Sequence, residues 1–156
     1  MAGGAVINEI LCLSKNSVHL LLLDQLTGYV DGAHTYWIGL NDRHEEGTFV
    51  WESGIKLSPE IANKWKDYEP NNHGSQDCAY VDGNTMMGDK SCITMMEFVC
   101  KKNLLWEQDP FEKVGSTMLY FNRTPSSYDE AINSCEKYGA HLVEVFTEKE
   151  WQQVKS

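Results

Sequence analysis

The chain has 156 residues, of which 42% are hydrophobic and 11% aromatic, which is enough for the core of one packed domain. Thirteen basic residues against 23 acidic ones give a formal net charge of −10. This balance disfavours nucleic acids and anionic membrane surfaces as partners, because phosphate groups are recognised through Lys and Arg. No apolar run approaches the roughly 20 residues of a membrane helix, so the sequence predicts no membrane segment in this chain.

The N-terminal third carries few decisive signals. Its first 26 residues lack a basic segment ahead of their short apolar tract, so no secretory signal is predicted. The apolar stretch from Val18 to Leu26 is compatible with a strand or with a short helix. "TYWIGL", from Thr35 to Leu40, predicts a buried strand, and "GTFVWESG" predicts a second strand that turns at Gly54.

A long segment without regular periodicity follows, from Lys56 to Asp77. Long loops in compact domains are usually functional. Its last part, "WKDYEPNNHGSQDC" from Trp65 to Cys78, gathers carboxylate and amide side chains around Pro70 and Gly74. Such a loop suits a hard cation, and it equally suits an ordinary polar surface, so both interpretations stay open at this point.

The remaining elements are predicted from local patterns. "CAYVDGN" and "SCITMMEFVCKK" predict strands with a turn at Gly83, "NLLWEQDPFEK" a linker, and "STMLYFNRT" a further strand. "SSYDEAINSCEKYGAHL" predicts a helix that begins with a capping box of Ser127 and Glu130 and stops at Gly139. Its predicted apolar face consists of Ile132, Cys135 and Tyr138.

Five cysteines raise the question of compartment. The spacings of Cys78, Cys92 and Cys100 match no CxxC metal pattern, and polar loops separate these residues as in disulfide-linked extracellular domains. Reduced thiols in a cytosolic core are the alternative. An odd number leaves one cysteine without a partner in this chain.

One short sequence occurs twice. "CEKYGAHLVEV" from Cys135 is similar to "CLSKNSVHLLLL" from Cys12. Both begin with a cysteine and continue through polar residues to His-Leu and a β-rich run. The similarity indicates an internal repeat, with chance likeness of two apolar segments as the alternative.

Taken together, several motifs resemble the C-type lectin-like domain family. In order and spacing they match over Cys12 to Lys102, and the repeat after Lys113 resembles the start of a second such domain. Tandem domains of this kind suggest the macrophage mannose receptor group. The motifs are "WIGL" at Trp37–Leu40, "FVWESG" at Phe49–Gly54, Trp65, "EPN" at Glu69–Asn71, "DC" at Asp77–Cys78 and "FVC" at Phe98–Cys100.

The resemblance implies an α+β fold with two short helices, small antiparallel sheets and a long irregular ligand loop. Residues 1–102 would form one domain with an incomplete N-terminal part, residues 103–113 a linker, and residues 114–156 the truncated start of a second copy. The chain would then be a fragment cut across two repeats, from a secreted protein or the extracellular part of a membrane receptor.

The resemblance also implies the disulfides. Cys78 is expected to pair with Cys92 beneath the ligand loop, and Cys12 with Cys100 near the domain end. Cys135 would await a partner in an absent part of the second domain.

Two calcium positions follow from the family pattern. The primary, carbohydrate-binding position corresponds to Glu69, Asn71, Gln76 and Asp89. Glu-Pro-Asn is the mannose-type order, but Gln76 stands where a Glu is expected and Gly88 where an Asn is expected. An auxiliary calcium position corresponds to four further residues, which are Asp42, Glu46, Asn72 and Asp77.

The expected function is therefore calcium-dependent, mannose-type recognition of glycans or glycoproteins by a site with a degenerate primary position. The alternative is a calcium-independent lectin-like domain that binds protein or acts as a spacer. Glu69, Pro70 and Asn71 favour the first, whereas Gln76 and Gly88 favour the second. No nucleophile and base motif is present, so no enzyme activity is expected.

Overall fold

A computed structural model describes residues 34–84, 86–103, 110–114 and 117–150. These residues form an α+β fold, which confirms the expected class. Its elements are β1 (Thr35–Asn41), β2 (Val50–Trp51), α1 (Pro59–Ala62), β3 (Cys78–Asp82), β4 (Met87–Lys90), β5 (Met96–Asn103), β6 (Glu112–Val114), β7 (Thr117–Ser126), α2 (Tyr128–Glu136) and β8 (His141–Leu142).

The strands join into one sheet in the order β4-β3-β1-β5-β7-β6, with β2 paired to β1 and β8 paired to β5. The expectation of several small antiparallel sheets is therefore corrected in two respects. The described strands are continuous through hydrogen bonds, and β1 runs parallel to β5, with Tyr36 opposite Glu97. The other strand pairs are antiparallel.

Core residues lie on both faces of this sheet. Along β1, Tyr36, Ile38 and Leu40 enter one hydrophobic cluster and Trp37 enters the other. This division follows from strand geometry, because successive side chains point to opposite faces. The first cluster supports the loop from Trp65 to Asp77 through Trp65, whose ring packs edge-on against Phe49 at 4.8 Å between centroids.

Residues 117–150 belong to the same packed unit. Strand β7 pairs with β5 from Met96 opposite Ser126 to Asn103 opposite Thr117. Leu119, Val143 and Val145 are buried in the first cluster, while residues of α2 are buried in the second. These contacts describe how the described residues pack, and the predicted division into a domain at 1–102, a linker at 103–113 and a second copy at 114–156 stays a prediction.

The disulfides agree with the expectation in one case and differ in the other. Cys78 pairs with Cys92 at a Cα–Cα distance of 5.2 Å, as predicted. Cys100 pairs with Cys135 at 5.4 Å, so the predicted Cys12–Cys100 pair and the predicted unpaired Cys135 are wrong for this structure. The reason is the packing of α2 against β5, which places Cys135 over Cys100. Cys12 lies outside the described residues.

The start of α2 confirms the capping box, because Ser127 Oγ accepts from Glu130 N and Glu130 Oε2 accepts from Ser127 N. Its buried face differs from the prediction. Tyr128, Ala131 and Cys135 are buried, whereas Ile132 is only partly buried and Tyr138 is 44% exposed.

The sequence analysis did not predict two short elements. Helix α1 follows Ser58, whose side chain accepts from Ile61 N, within a segment predicted to be irregular. The segment Ser91–Thr94, predicted as the beginning of a strand, is a turn closed by a hydrogen bond from Thr94 N to Ser91 O.

Val18–Leu26 lies outside the described residues. Among the described helices, none has the length and hydropathy needed to cross a membrane.

Candidate functional site

The loop from Trp65 to Asp77 is fixed at both ends. At its start, Lys66 N donates to Met87 O at 2.9 Å and Met87 N donates to Lys64 O at 2.7 Å. At its end, Cys78 is joined to Cys92. The loop therefore lies beside β4, the strand that carries Gly88 and Asp89.

The first part of the loop is a tight turn. Glu69 N donates to Lys66 O at 3.0 Å, and Tyr68 at the third turn position has a φ of 67°. The Glu69–Pro70 peptide bond is cis. Tyr68 is 96% exposed.

Three of the four residues expected at the primary position come together. Asp89 is only 2% exposed, and its carboxylate accepts from Asn71 N at 3.1 Å and from Asn72 N at 2.7 Å. Asn71 Nδ2 donates to Glu69 Oε1 at 2.9 Å. The other oxygen of Glu69, Oε2, is buried and has no hydrogen-bond partner.

The electrostatics of this group disfavour two ionised carboxylates side by side. Burial raises the pKa of Glu69, and the adjacent carboxyl of Asp89 raises it further. Two close carboxyl groups resist simultaneous ionisation, and a positive ion between them would remove that repulsion.

Gln76 is linked to this group indirectly, through its backbone and Asn72. Its N–H donates to Asn72 Oδ1 at 3.0 Å. Asn72, expected at the auxiliary position, is therefore bonded to Asp89 and Gln76 of the primary group.

The ring of Tyr80 lies where the sequence predicts an amide side chain. Tyr80 is opposite Gly88 in the β3–β4 pair, and a Cβ added to Gly88 would stand 2.6 Å from its Cζ and Oη. Lys66 Nζ lies 4.8 Å from the centre of the ring, 3.2 Å from Tyr80 Oη and 3.0 Å from Asp82 Oδ2. The sequence analysis missed Tyr80 and Lys66. The sequence signal for the contact between Tyr80 and Gly88 is a glycine opposite a tyrosine. This signal can be read only when the register of β3 and β4 is known.

At the auxiliary position, Asp42, Glu46 and Asp77 interact electrostatically. Asp42 is 4% exposed, its Oδ2 accepts from Gly47 N at 2.8 Å, and its N donates to Asp77 O at 3.1 Å. Burial raises the pKa of Asp42, and the charges of Glu46 and Asp77 add to this rise. Asp42 Oδ1 is buried without a partner.

Each position thus retains one buried carboxylate oxygen without a hydrogen bond, Glu69 Oε2 and Asp42 Oδ1. Because unpaired buried oxygen is unfavourable in the absence of a cation, the residues fit a hard divalent ion in this respect. No three His, Cys, Asp or Glu residues within the described ranges are arranged as a metal centre. A bound ion would therefore also need amide or backbone oxygens.

Residues 11–102 match the family model of the lectin C-type domain, so the chain belongs to the C-type lectin family. It is 42% identical over 66 residues to CD209 antigen-like protein D of Mus musculus, covering 42% of this chain and 27% of that protein. It is also 42% identical over 67 residues to the CD209 antigen of Homo sapiens, covering 43% of this chain and 16% of that protein. The chain thus spans less than a third of the length of these relatives.

Solved C-type lectin structures are also similar. The carbohydrate-recognition domain of the mouse scavenger receptor C-type lectin has 24% identity and a TM-score of 0.38, covering 51% of this chain and 60% of that one. The C-type lectin CEL-I from Cucumaria echinata has 24% identity and a TM-score of 0.37, covering 51% and 56%.

Proposed function

We propose that the protein is a carbohydrate-recognition module that binds mannose-type glycans with the help of calcium at the loop from Glu69 to Asp77. The observation that carries this proposal is the buried, unpaired Oε2 of Glu69 beside the carboxyl of Asp89. Glu69, Pro70 and Asn71 supply the mannose-type order.

The residues that would hold calcium are Glu69, Asn71 and Asp89, with Gln76 offering an uncharged oxygen. When bound, calcium supplies direct coordination of neighbouring sugar hydroxyls. The chain itself supplies polar partners for the same hydroxyls. Asn71 Nδ2 can donate and Glu69 Oε1 can accept, once the 2.9 Å hydrogen bond between them is exchanged for bonds to the sugar.

A second calcium position at Asp42, Glu46 and Asp77 would support the loop, with Asn72 linking the two groups. Its support is the buried, unpaired Oδ1 of Asp42. Arg43 pairs with Asp129 of α2 at 2.7 Å next to this position, which connects the turn after β1 to the helix.

The proposed partners are glycans or glycoproteins outside the cell, with the protein secreted or part of a receptor. Two disulfides support the extracellular setting, since such bonds persist in oxidising compartments. Membership of a tandem-repeat group resembling the macrophage mannose receptor is likewise a proposal, supported by the repeated sequence at Cys12 and Cys135.

A calcium-independent lectin-like domain that binds protein is the second candidate. The observation in its favour is the ring of Tyr80 beside Gly88, which takes the space of an expected ligand side chain. The neutral side chain of Gln76 also lowers the negative charge available to an ion.

The deciding experiment is thermal unfolding of the oxidised protein with calcium and with chelator, followed by glycan-array binding under both conditions. A ligand at 100 times its dissociation constant stabilises by about 2.7 kcal/mol, so calcium binding would be visible. Glu69→Gln is expected to weaken calcium binding at least tenfold. Asp129→Asn, which alters an exposed carboxylate of the Arg43 pair, serves as the control. Glycan binding that persists undiminished in chelator would contradict the proposal.

A further inference from the structure

A cavity of about 330 Å³ lies between the turn after β2, helix α2 and strand β8. This volume is at the lower end of the roughly 300–1,000 Å³ of ligand pockets, so it suits a single side chain better than a large molecule. Leu142 is buried and Ile132 partly buried, and both give the cavity apolar surface. None of the described residues that line it belongs to the loop from Trp65 to Asp77.

The most buried polar residue of this cavity is Glu144, which is 5% exposed. A glycine makes room for its side chain, because a Cβ added at Gly39 of β1 would stand 3.3 Å from Glu144 Cγ. Glu144 Oε1 accepts from Ser53 N at 2.8 Å, and Oε2 has no hydrogen-bond partner among the described residues. Oε2 is also not closed off from solvent, so it faces the cavity.

Negative charge is concentrated at the cavity. Glu52 and Glu136 line it together with Glu144. Among the described residues, no Lys or Arg forms an ion pair with the carboxylate of Glu136 or Glu144. Lys101 Nζ donates to the backbone oxygen of Glu144 at 2.9 Å, but the carboxylate it pairs with is that of Glu150 at 3.0 Å. The cavity therefore attracts a cation from outside the chain, and the net charge of −10 adds to this attraction.

We propose that this cavity binds the guanidinium group of an arginine side chain exposed on a partner protein. The methylene groups of an arginine can lie along Ile132 and Leu142, while its guanidinium offers five N–H donors in a fixed plane. Glu144 Oε2 accepts from this group inside the cavity, and the exposed carboxylates of Glu52 and Glu136 accept at the mouth. A lysine ammonium is a more strongly hydrated point charge, so it fits less well. This binding site goes beyond the proposed function and does not depend on calcium or sugar.

The test titrates the full, oxidised chain with three end-blocked tripeptides and follows binding by NMR chemical shifts. The central residue of the tripeptide is arginine, lysine or citrulline, between two glycines. Citrulline has the shape of arginine without its charge. The titrations are run at about pH 8, because His141 also lines the cavity and a protonated imidazole would compete with the guanidinium.

Three variants accompany the unmodified protein. Glu144→Gln removes the buried charge and keeps an oxygen that accepts from Ser53 N, and thermal unfolding checks that its fold is retained. Glu136→Gln changes an exposed lining residue, so it keeps the test valid if Glu144→Gln does not fold. Asp129→Asn is the matched control, because it removes the same charge from α2 at a position that does not line the cavity.

The arginine peptide is expected to bind with a Kd on the order of 1 mM, the lysine peptide at least about threefold more weakly and the citrulline peptide at least about tenfold more weakly. Glu144→Gln should weaken binding of the arginine peptide at least about tenfold, since a hydrogen bond to a charged group is lost. We expect about threefold for Glu136→Gln and less than about twofold for Asp129→Asn.

Three results overturn the inference. The first is no binding of the arginine peptide up to about 10 mM, tenfold above the expected Kd. The second is equal binding of the citrulline peptide. The third is a loss in Asp129→Asn as large as the loss in the two cavity variants, which would mean that only the overall charge of the protein matters.

Discussion

At Gly88, the ring of Tyr80 stands where the family pattern places an asparagine side chain. Their opposition in the β3–β4 pair puts both on the same face of the hairpin. Lys66 holds the ring in place through its contacts with Tyr80 and Asp82. The small residue at Gly88 and the large residue at Tyr80 are therefore one coupled feature.

This coupling predicts that Gly88→Asn alone does not restore a calcium ligand. The new Cβ would lie 2.6 Å from atoms of Tyr80, so the ring must move and release Lys66. The expected loss in free energy of unfolding is about 1–3 kcal/mol. Tyr80→Ala combined with Gly88→Asn should recover at least half of it, as a double-mutant cycle by urea unfolding would show. Additive effects of the two changes would contradict the coupling.

A second prediction concerns the pH dependence due to Glu69. Burial, reinforced by Asp89, raises the pKa of Glu69 in the folded state, so the native protein holds this proton more tightly than the unfolded chain. In chelator, stability should therefore fall as pH rises from the usual glutamate range through the raised pKa. The Glu69→Gln variant lacks this titrating group, so its stability should not fall in this way. The difference in free energy of unfolding between the variant and the unmodified protein should therefore grow in favour of the variant as pH rises through this window. Urea unfolding at a series of pH values measures the difference, and a constant difference would count against the prediction.

The motif at Glu69–Asn71 and the acidic residue Asp89 were recognisable through the family resemblance, because the family pattern places them close in sequence to Cys78 and Cys92. The contact between Tyr80 and Gly88 was not recognisable. It depends on the register of two strands and on the rotamer of an aromatic side chain. Lys66 was missed for the same reason, since its partners lie on β3.

Among the elements, helix α2 could be predicted from the sequence only in part. Its start was predictable, because Ser127 and Glu130 form a capping box within four residues. Its docking partner was not. The repeated sequence around Cys12 and Cys135 favoured assignment of α2 to a second domain, whereas the structure packs it on β5 and joins Cys135 to Cys100.

That pairing gives a direct prediction. The Cys100–Cys135 disulfide spans 35 residues, and its loss should lower the free energy of unfolding by about 4 kcal/mol in the chain-entropy model. Cys135→Ser is the variant, and Cys12→Ser is the control, expected to leave both stability and the Cys100–Cys135 link unchanged. Non-reducing peptide mapping identifies the pairs. Recovery of a Cys12–Cys100 peptide from the unmodified protein would refute the assignment.

On the scale of the whole molecule, the described residues share a single sheet and two hydrophobic clusters. Composition predicted a sufficient core, and the family resemblance implied an α+β fold. They did not predict that β7 would extend the sheet along β5, since an apolar strand pattern specifies a buried face and not a neighbour. Packing decides which strands far apart in sequence become neighbours. Leu119 and Val143, for example, are both buried in the first hydrophobic cluster.

The order of these elements along the chain has a consequence for biosynthesis. Strand β5 is translated before the residues of β7 that cover it, so its backbone edge is open to other chains while the ribosome completes the rest. In an oxidising compartment Cys78 and Cys92 can join early, but Cys100 must wait for Cys135. During that interval Cys12 is already synthesised. The yield of correctly oxidised protein should therefore depend on how quickly translation and disulfide isomerases deliver Cys135 to its partner.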